Sequence, residues 1–324
     1  MKATAIARAN IALAKYWGKS DDTLNLPAVP SVSLTLDPLI TETTVELDPG
    51  LSEDLFELDG APAKASEARR VIALLDEVRA AAGAKTRARV VSANRFPTAA
   101  GLASSASGFA ALAGAATRAY GLDDGLDVIS ARARRASASA ARSVYGGIVA
   151  LPAGEPGDND VCATQIATAE HWDLRVVVAI TAKGRKPIGS RAAMGESRRS
   201  SPYYPSWVEH AAASTREITA ALLARDFDAL APLVEQSFFA MHAVGMAGLP
   251  SVLYWQPGSV QAIRRIQALR ADGVAVCATM DAGPHVKAIC LANVAAQVEE
   301  ALSLEPLVLD TLAARIGPGL EVRS

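Results

Sequence analysis

The run from Phe96 to Gly108 reads Phe-Pro-Thr-Ala-Ala-Gly-Leu-Ala-Ser-Ser-Ala-Ser-Gly, and it constrains this chain more than any other stretch. Pro97 and Gly101 break any element that reaches them, and the small residues that follow open a helix. Unpaired N–H groups at a helix start, reinforced by the helix dipole, form a site for an anion. Small side chains also let a phosphate chain come close to the backbone. No Gly-Lys-Ser/Thr follows the glycine, so this is not the Walker pattern. The same composition would serve equally as a tight interhelical contact, and both readings stand at this point.

A chain of 324 residues is long for one core, so two domains are expected. Half of it is apolar and a fifth is charged, an ordinary globular balance. The net charge of -2, with Lys and Arg dispersed, argues against a nucleic-acid partner. Cys162, Cys277 and Cys290 lie far apart in apolar surroundings, without CxxC or Cys/His ligand spacing. Reduced thiols are therefore expected, with neither a disulfide nor a protein-ligated metal. No apolar run approaches the roughly 18–20 residues of a membrane span. Arg8, Asn10 and Lys15 interrupt any signal-peptide core, so a soluble cytoplasmic chain without a membrane partner is expected.

Residues 3–9 alternate as a strand does, and residues 33–36 and 40–47 read as two further strands. A helix is expected over 66–82, where Val71, Leu74, Leu75 and Val78 recur at helical spacing. A strand at 87–92 leads into the glycine-serine run. Helices follow at 104–120, ended by Gly121, and at 126–135, and a strand runs from Gly146-Gly147 to Leu151. The stretch 174–181 is a buried strand with the domain change close to it. Residues 183–204, rich in Arg, Ser, Gly and Pro, read as a long functional loop or a partly helical flap. Two helices fill 207–243, broken near Asp226–Asp228, and another covers 260–270. Strands at 274–280 and 286–291 flank Asp281-Ala282-Gly283-Pro284, with a last helix at 294–302. Strands and helices mix without a βαβ rhythm, which points to α+β layers.

Four places set polar groups beside small or breaker residues. In Asn10–Lys19, Lys15 and Lys19 would share one side if that turn were helical, or be plain solvated charges. The glycine-serine run is the second. In Ser137–Ser143, the serines and Arg142 could ligate phosphate oxygens, since Arg offers a planar fork of donors; a helix interior packed on its alanines explains the segment nearly as well. The fourth is Met280–His285, where Asp281 ends an apolar strand before a forced turn; a turn-stabilising or helix-capping Asp is the plain alternative. His171, His210 and His242 read as surface or packing residues. Together these signals suggest phosphoryl chemistry on a small anionic substrate, which relies on positioning and charge compensation.

Over nearly its whole length the chain resembles the mevalonate diphosphate decarboxylases of the GHMP kinase superfamily. Asn10–Lys19 is similar to the family's N-terminal signature, and Phe96–Gly108 to its phosphate loop almost letter for letter. Ser137–Gly147 resembles its Ser-x-Ser-x-x-Arg-Ser segment, Ser190-Arg191 with Met194 its diphosphate-contacting loop, and Asp281–Pro284 its Asp-Ala-Gly-Pro turn. The resemblance implies an α+β two-domain GHMP fold. An N-terminal ATP-binding domain (1–178) would resemble part of a ribosomal protein, and a C-terminal domain (179–324) would be ferredoxin-like. It implies ATP-dependent decarboxylation of (R)-5-diphosphomevalonate to isopentenyl diphosphate, through phosphorylation of the 3-hydroxyl, on the mevalonate route to isoprenoids. Asp281 would face that hydroxyl, Arg142 would hold the substrate carboxylate, and Lys15 would stabilise charge at the reacting oxygens. Pro97, Ala100, Gly101, Leu102, Ala103, Ser104 and Ser105 would bind ATP. Asn10, Tyr16, Lys19, Ser137, Ser139, Ser190, Arg191 and Met194 would line the substrate pocket. Mg²⁺ would bridge ATP oxygens through phosphate and water, and a homodimer is the assembly the family suggests. The chain departs from the family pattern at Ala28-Val29-Pro30-Ser31, at Ala136, Ala138 and Ala141, and at His285, where Asn is common. Decarboxylation of the 5-monophosphate and a kinase reaction without decarboxylation are the alternatives.

Overall fold

A computed structural model of the chain describes residues 1–62, 65–96, 104–184 and 188–323. The first strand, β1 (Lys2–Ala14), outruns its alternating stretch because alanines, Ile11 and Leu13 continue it between covered faces. The helical turn considered for residues 10–19 is therefore absent: Lys15 follows β1, and Lys19 opens β2 (Lys19–Asp21), which pairs with β3 (Leu26–Pro27). The two strands expected at 33–36 and 40–47 are one, β4 (Ser31–Asp48). Along it Ile40 faces Arg8 and Leu36 faces Ala9, so Asp37, Pro38 and Leu39 bulge out of the ladder. A proline that reads as a terminator is tolerated there because a bulge needs no N–H donor.

In chain order there follow β5 (Leu55–Leu58), β6 (Ala61–Pro62), α1 (Ala65–Ala81), β7 (Arg87–Asn94), α2 (Ser104–Ala119) and α3 (Leu126–Ala136). A 3-10 helix (Ala138–Val144), β8 (Ile148–Leu151), β9 (Thr164–Ala167) and β10 (Leu174–Ile180) complete the first half. The second half holds α4 (Ser190–Ser200), α5 (Tyr204–Ala224), α6 (Phe227–Met246), α7 (Pro257–Ala271), β11 (Val276–Met280) and β12 (Val286–Leu291). It ends with α8 (Ala295–Ser303), β13 (Asp310–Ile316) and β14 (Glu321–Arg323).

Twelve of these strands form one sheet, ordered β11-β12-β10-β13-β4-β7-β5-β6, with β1 between β4 and β14 and β8 between β4 and β9. The terminal strands β13 and β14 return the chain to β4 and β1, so one sheet runs through both halves. The cut at 178/179 falls inside β10, whose partners β12 and β13 both lie in the second half.

Val71, Leu74, Leu75 and Val78 of α1 bury themselves with the alanines of α2 against β1 and β7. Ile218 and Leu222 of α5, with Leu230 and Val234 of α6, pack on Leu13, Val32 and Val176. That pair of helices thus bridges strands of both halves. Ile263, Ile266 and Val298, from α7 and α8, cover Val177, Ala278 and Ala288. In α2 the packing reading of the small residues holds for its body, since a methyl on Gly114 would press on the Leu320 side chain, while its first turn opens on the cleft described next.

Of the two readings of 183–204, the partly helical one holds. Among its described residues α4 takes up Ser190–Ser200, because Ala193 and Met194 pack with Trp17, Tyr204 and Met241. In the same cluster Gly18 has φ +106, and a methyl there would overlap the Tyr204 hydroxyl. Gly18→Ala should therefore cost at least about 2 kcal/mol through strain and overpacking, read as a lower midpoint in urea unfolding; an unchanged midpoint would contradict this packing.

Candidate active site

Three segments leave the sheet at the seam between the halves: residues 15–18 after β1, the 3-10 helix, and the turn joining β11 to β12. The last is closed by the pair Met280 and Val286, so Asp281 to His285 project as its loop. Asp281 caps no helix. Its carbonyl accepts from Gly283 N at 2.8 Å, and its carboxylate faces inward. Lys15 Nζ donates to Asp281 Oδ1 at 2.9 Å and to the Ala12 carbonyl at 2.7 Å, while Lys287 Nζ lies 3.6 Å from Oδ2.

These charges shift one another. Burial disfavours the Asp281 anion, but Lys15 and Lys287, then Arg142, outweigh it and hold the carboxyl at about 2. Burial, with Lys287 and Arg142 nearby, lowers Lys15 to about 8 against the pull of Asp281. His242, 3% exposed, is pushed by burial to about 3; its ring hydrogen-bonds the Asp281 backbone beneath the turn. It is the packing residue its setting suggested, edge-on to Tyr254 and Trp255. His285, which accepts from Thr181 N at Nδ1 (3.1 Å), is likewise lowered by burial, to about 4. Both rings are neutral near pH 7.

Arg142 is 2% exposed and donates to Ser33 Oγ (3.1 Å), Ser31 Oγ (2.7 Å) and Asn10 Oδ1 (3.2 Å). Asn10 in turn donates to Ser143 Oγ at 2.7 Å and the Ser139 carbonyl at 2.9 Å. Among the described residues no carboxylate pairs with Arg142, and burial brings it down to about 10. A buried guanidinium held only by neutral groups is poised to receive an anion. Lys19 has a distant partner, Asp22, at 3.8 Å, and burial beside Arg191 lowers it to about 8. The Tyr16 hydroxyl is buried and finds no partner among the described residues.

One cleft, enclosing about 290 Å³, gathers what the sequence had scattered. Asn10, Lys15, Tyr16, Lys19, Ser104, Ser105, Ser137, Ser139, Arg142, Ser190, Arg191, Met194 and Asp281 all line it. Ser190 and Arg191 reach it from the first turn of α4 rather than from a loop. Pro97, Ala100, Gly101, Leu102 and Ala103 lie outside the described residues. A second hollow of about 150 Å³ shares Ser104, Ser105 and Arg70 with the cleft and is walled by Phe56, Leu58, Val90, Phe109 and Leu112. Thr41, Thr43, Ser92 and Asn94 add polar groups to it.

Several residues were missed. Arg70, whose guanidinium lies 4.7 Å from the Phe109 ring centroid, borders both hollows. It hid in a helix read only for its apolar stripe. Ser31 and Ser33 recur with the period of a strand, which could have placed both on one face. Lys287 is a lone charge in an otherwise apolar strand, and nothing in the sequence set it apart.

The first part of the chain, residues 7–163, matches the family model "Diphosphomevalonate decarboxylase-like N-terminal domain". Residues 176–306 match "Mevalonate 5-diphosphate decarboxylase C-terminal domain". The diphosphomevalonate decarboxylase of Eremothecium gossypii is 36% identical over 310 residues, 90% of this chain and 78% of its own length. A structure described as MDDEF in complex with MVAPP, AMPPCP and magnesium superposes with a TM-score of 0.93 at 36% identity, covering 100% of this chain and 99% of that one. The mevalonate diphosphate decarboxylase of Staphylococcus aureus gives 0.95 at 33% identity, covering 100% and 98%. With the two-domain GHMP fold and the sequence match in agreement, this chain belongs to the diphosphomevalonate decarboxylase family.

Proposed function

We propose that the cleft catalyses the ATP-dependent decarboxylation of (R)-5-diphosphomevalonate to isopentenyl diphosphate, with ADP, phosphate and carbon dioxide as co-products. One observation carries this reading: among the described residues Lys15, Lys19, Arg70, Arg142 and Arg191 line the cleft against the one carboxylate of Asp281. Such an excess of cations suits two polyphosphorylated molecules and a carboxylate.

The second hollow is the place for the adenosine of ATP, with apolar walls for a purine and Ser104 and Ser105 leading to the phosphates. Arg70 stands where the two hollows meet. Lys19, Arg191, Ser137, Ser139 and Tyr16 take the diphosphate end of the substrate, and Arg142 takes its carboxylate. Asp281, ionised throughout the neutral range, accepts a hydrogen bond from the 3-hydroxyl and orients it toward the transferred phosphoryl group. Lys15 compensates charge at the same oxygen. Loss of phosphate and carboxylate together follows if cations steady the departing phosphate.

Among the described residues no cluster of His, Cys, Asp and Glu could hold a metal ion. The hydroxyls of Ser104 and Ser105 suit a magnesium carried mainly by phosphate oxygens and water, where it would neutralise phosphate charge. In place of the expected division at 1–178 and 179–324, we put the boundary ahead of β10 (Leu174–Ile180), which pairs only with strands of the second half. A homodimer is the assembly we expect from the family. No described helix is long and apolar enough to cross a membrane, and we assign the reaction to the cytoplasm, in keeping with three free cysteines.

The test is a product assay with ATP and magnesium on 5-diphospho- and 5-phosphomevalonate side by side. Carbon dioxide and isopentenyl diphosphate from the diphosphate are expected. Preference for the monophosphate, or ADP without carbon dioxide, would replace this reading by one of the two alternatives.

A further inference from the structure

Lys287 lies in β12 between Val286 and Ala288, both fully buried, and is itself only 3% exposed. An ammonium so placed needs a partner. The register gives it one. Thr279 stands opposite Lys287, and residues two apart share a sheet face, so Lys287 points along the side that carries Asp281. Its Nζ lies 3.6 Å from Asp281 Oδ2 and donates to the His285 carbonyl at 3.3 Å. Lys15 occupies the other oxygen at 2.9 Å. The carboxylate is thus gripped on both oxygens, by ammonium groups from segments distant in sequence. Lys287 is not among the residues that line the cleft, so it acts on the site through Asp281 and through its charge on Lys15.

We propose that Lys287 is a positioning residue: by holding the second oxygen of Asp281 it fixes the angle at which the carboxylate meets the substrate alcohol. This rests on the function proposed above. Without Lys287 the carboxylate pivots about its bond to Lys15, and a misplacement of about 1 Å at a reacting group can cost about a hundredfold in rate. The charge on Lys15 would change as well. Asp281 favours that charge, Lys287 and Arg142 oppose it, and the His242 ring packed behind is neutral. Removing Lys287 should therefore move the loss of the Lys15 proton from about 8 to higher pH.

The experiment replaces Lys287 by Met and by Gln, checks folding by circular dichroism, and follows carbon dioxide release with both substrates between pH 6 and 10. Expected are a fall in kcat of about 10–100-fold, KM values within about threefold, and an alkaline limb of kcat/KM displaced upward. Lys287→Arg should restore part of kcat and return the limb. A purely structural defect would lower the active fraction without moving the limb. Unchanged kcat in a folded neutral variant, or a reduced kcat with the limb in place, overturns the proposal. A wild-type protein that releases no carbon dioxide would instead refute the function itself, so the two failures are distinguishable.

Discussion

Asp281→Asn is expected to lower kcat by about a thousandfold while leaving the ATP KM within about twofold. The amide keeps the shape and one acceptor but removes the only negative charge that lines the cleft among the described residues. Lys15 and Lys287 then face each other across a neutral group, and the buried Lys15 ammonium becomes still easier to deprotonate. The alcohol loses its ionic acceptor in the same step. Because Asp281 sits at about 2, the wild-type carboxylate is already charged at any ordinary assay pH, so lowering or raising the pH cannot mimic or mask the substitution. The measurement is steady-state carbon dioxide release together with equilibrium ATP binding. Retention of more than about a tenth of wild-type kcat would remove Asp281 from its assigned role.

Arg142→Lys comes next in size. Charge is conserved, but the planar fork that spans Ser31, Ser33 and Asn10 is lost, and an ammonium offers no bidentate match to a carboxylate. The decrease in kcat/KM for the diphosphate substrate should be about a hundredfold, equivalent to about 3 kcal/mol. The ATP KM should hardly move. Because two serine hydroxyls and an amide oxygen are left with poorer partners in a buried setting, stability should also fall by about 1–3 kcal/mol. Kinetics with each substrate varied in turn separates the two effects. A loss confined to stability, with kcat/KM intact, would make Arg142 a structural residue only.

Much of the site was readable because its residues stand beside punctuation. Asp281 precedes Gly283 and Pro284, Ser104 follows Gly101, and Arg142 sits among small residues, so each polar group stood out from its neighbours. What stayed hidden depended on tertiary context. Lys287 looks like any strand residue until register sets it beside Asp281. Pro38 splits β4 on paper, yet the bulge opposite Arg8 and Ala9 absorbs it. The sequence of α4, with its glycine and serines, has modest helix propensity, and contacts of Ala193 and Met194 decide its state. Of the closing strands, β14 is three residues long and largely exposed, while β13 carries an alternation of Leu312, Ala314 and Ile316 too brief to stand out.

Those closing strands bear on how the protein can move. Arg315 and Ile316 are laddered to Asp37 and Leu36, and Thr4 to Arg323, so the last residues of the chain stitch its two halves edge to edge. Swinging one half away from the other would unzip that seam. The spacing between the tip of β1, which carries Lys15, and the tip of β11, which carries Asp281, is accordingly built into the backbone weave. The two jaws of the cleft are thus tied to each other through backbone hydrogen bonds.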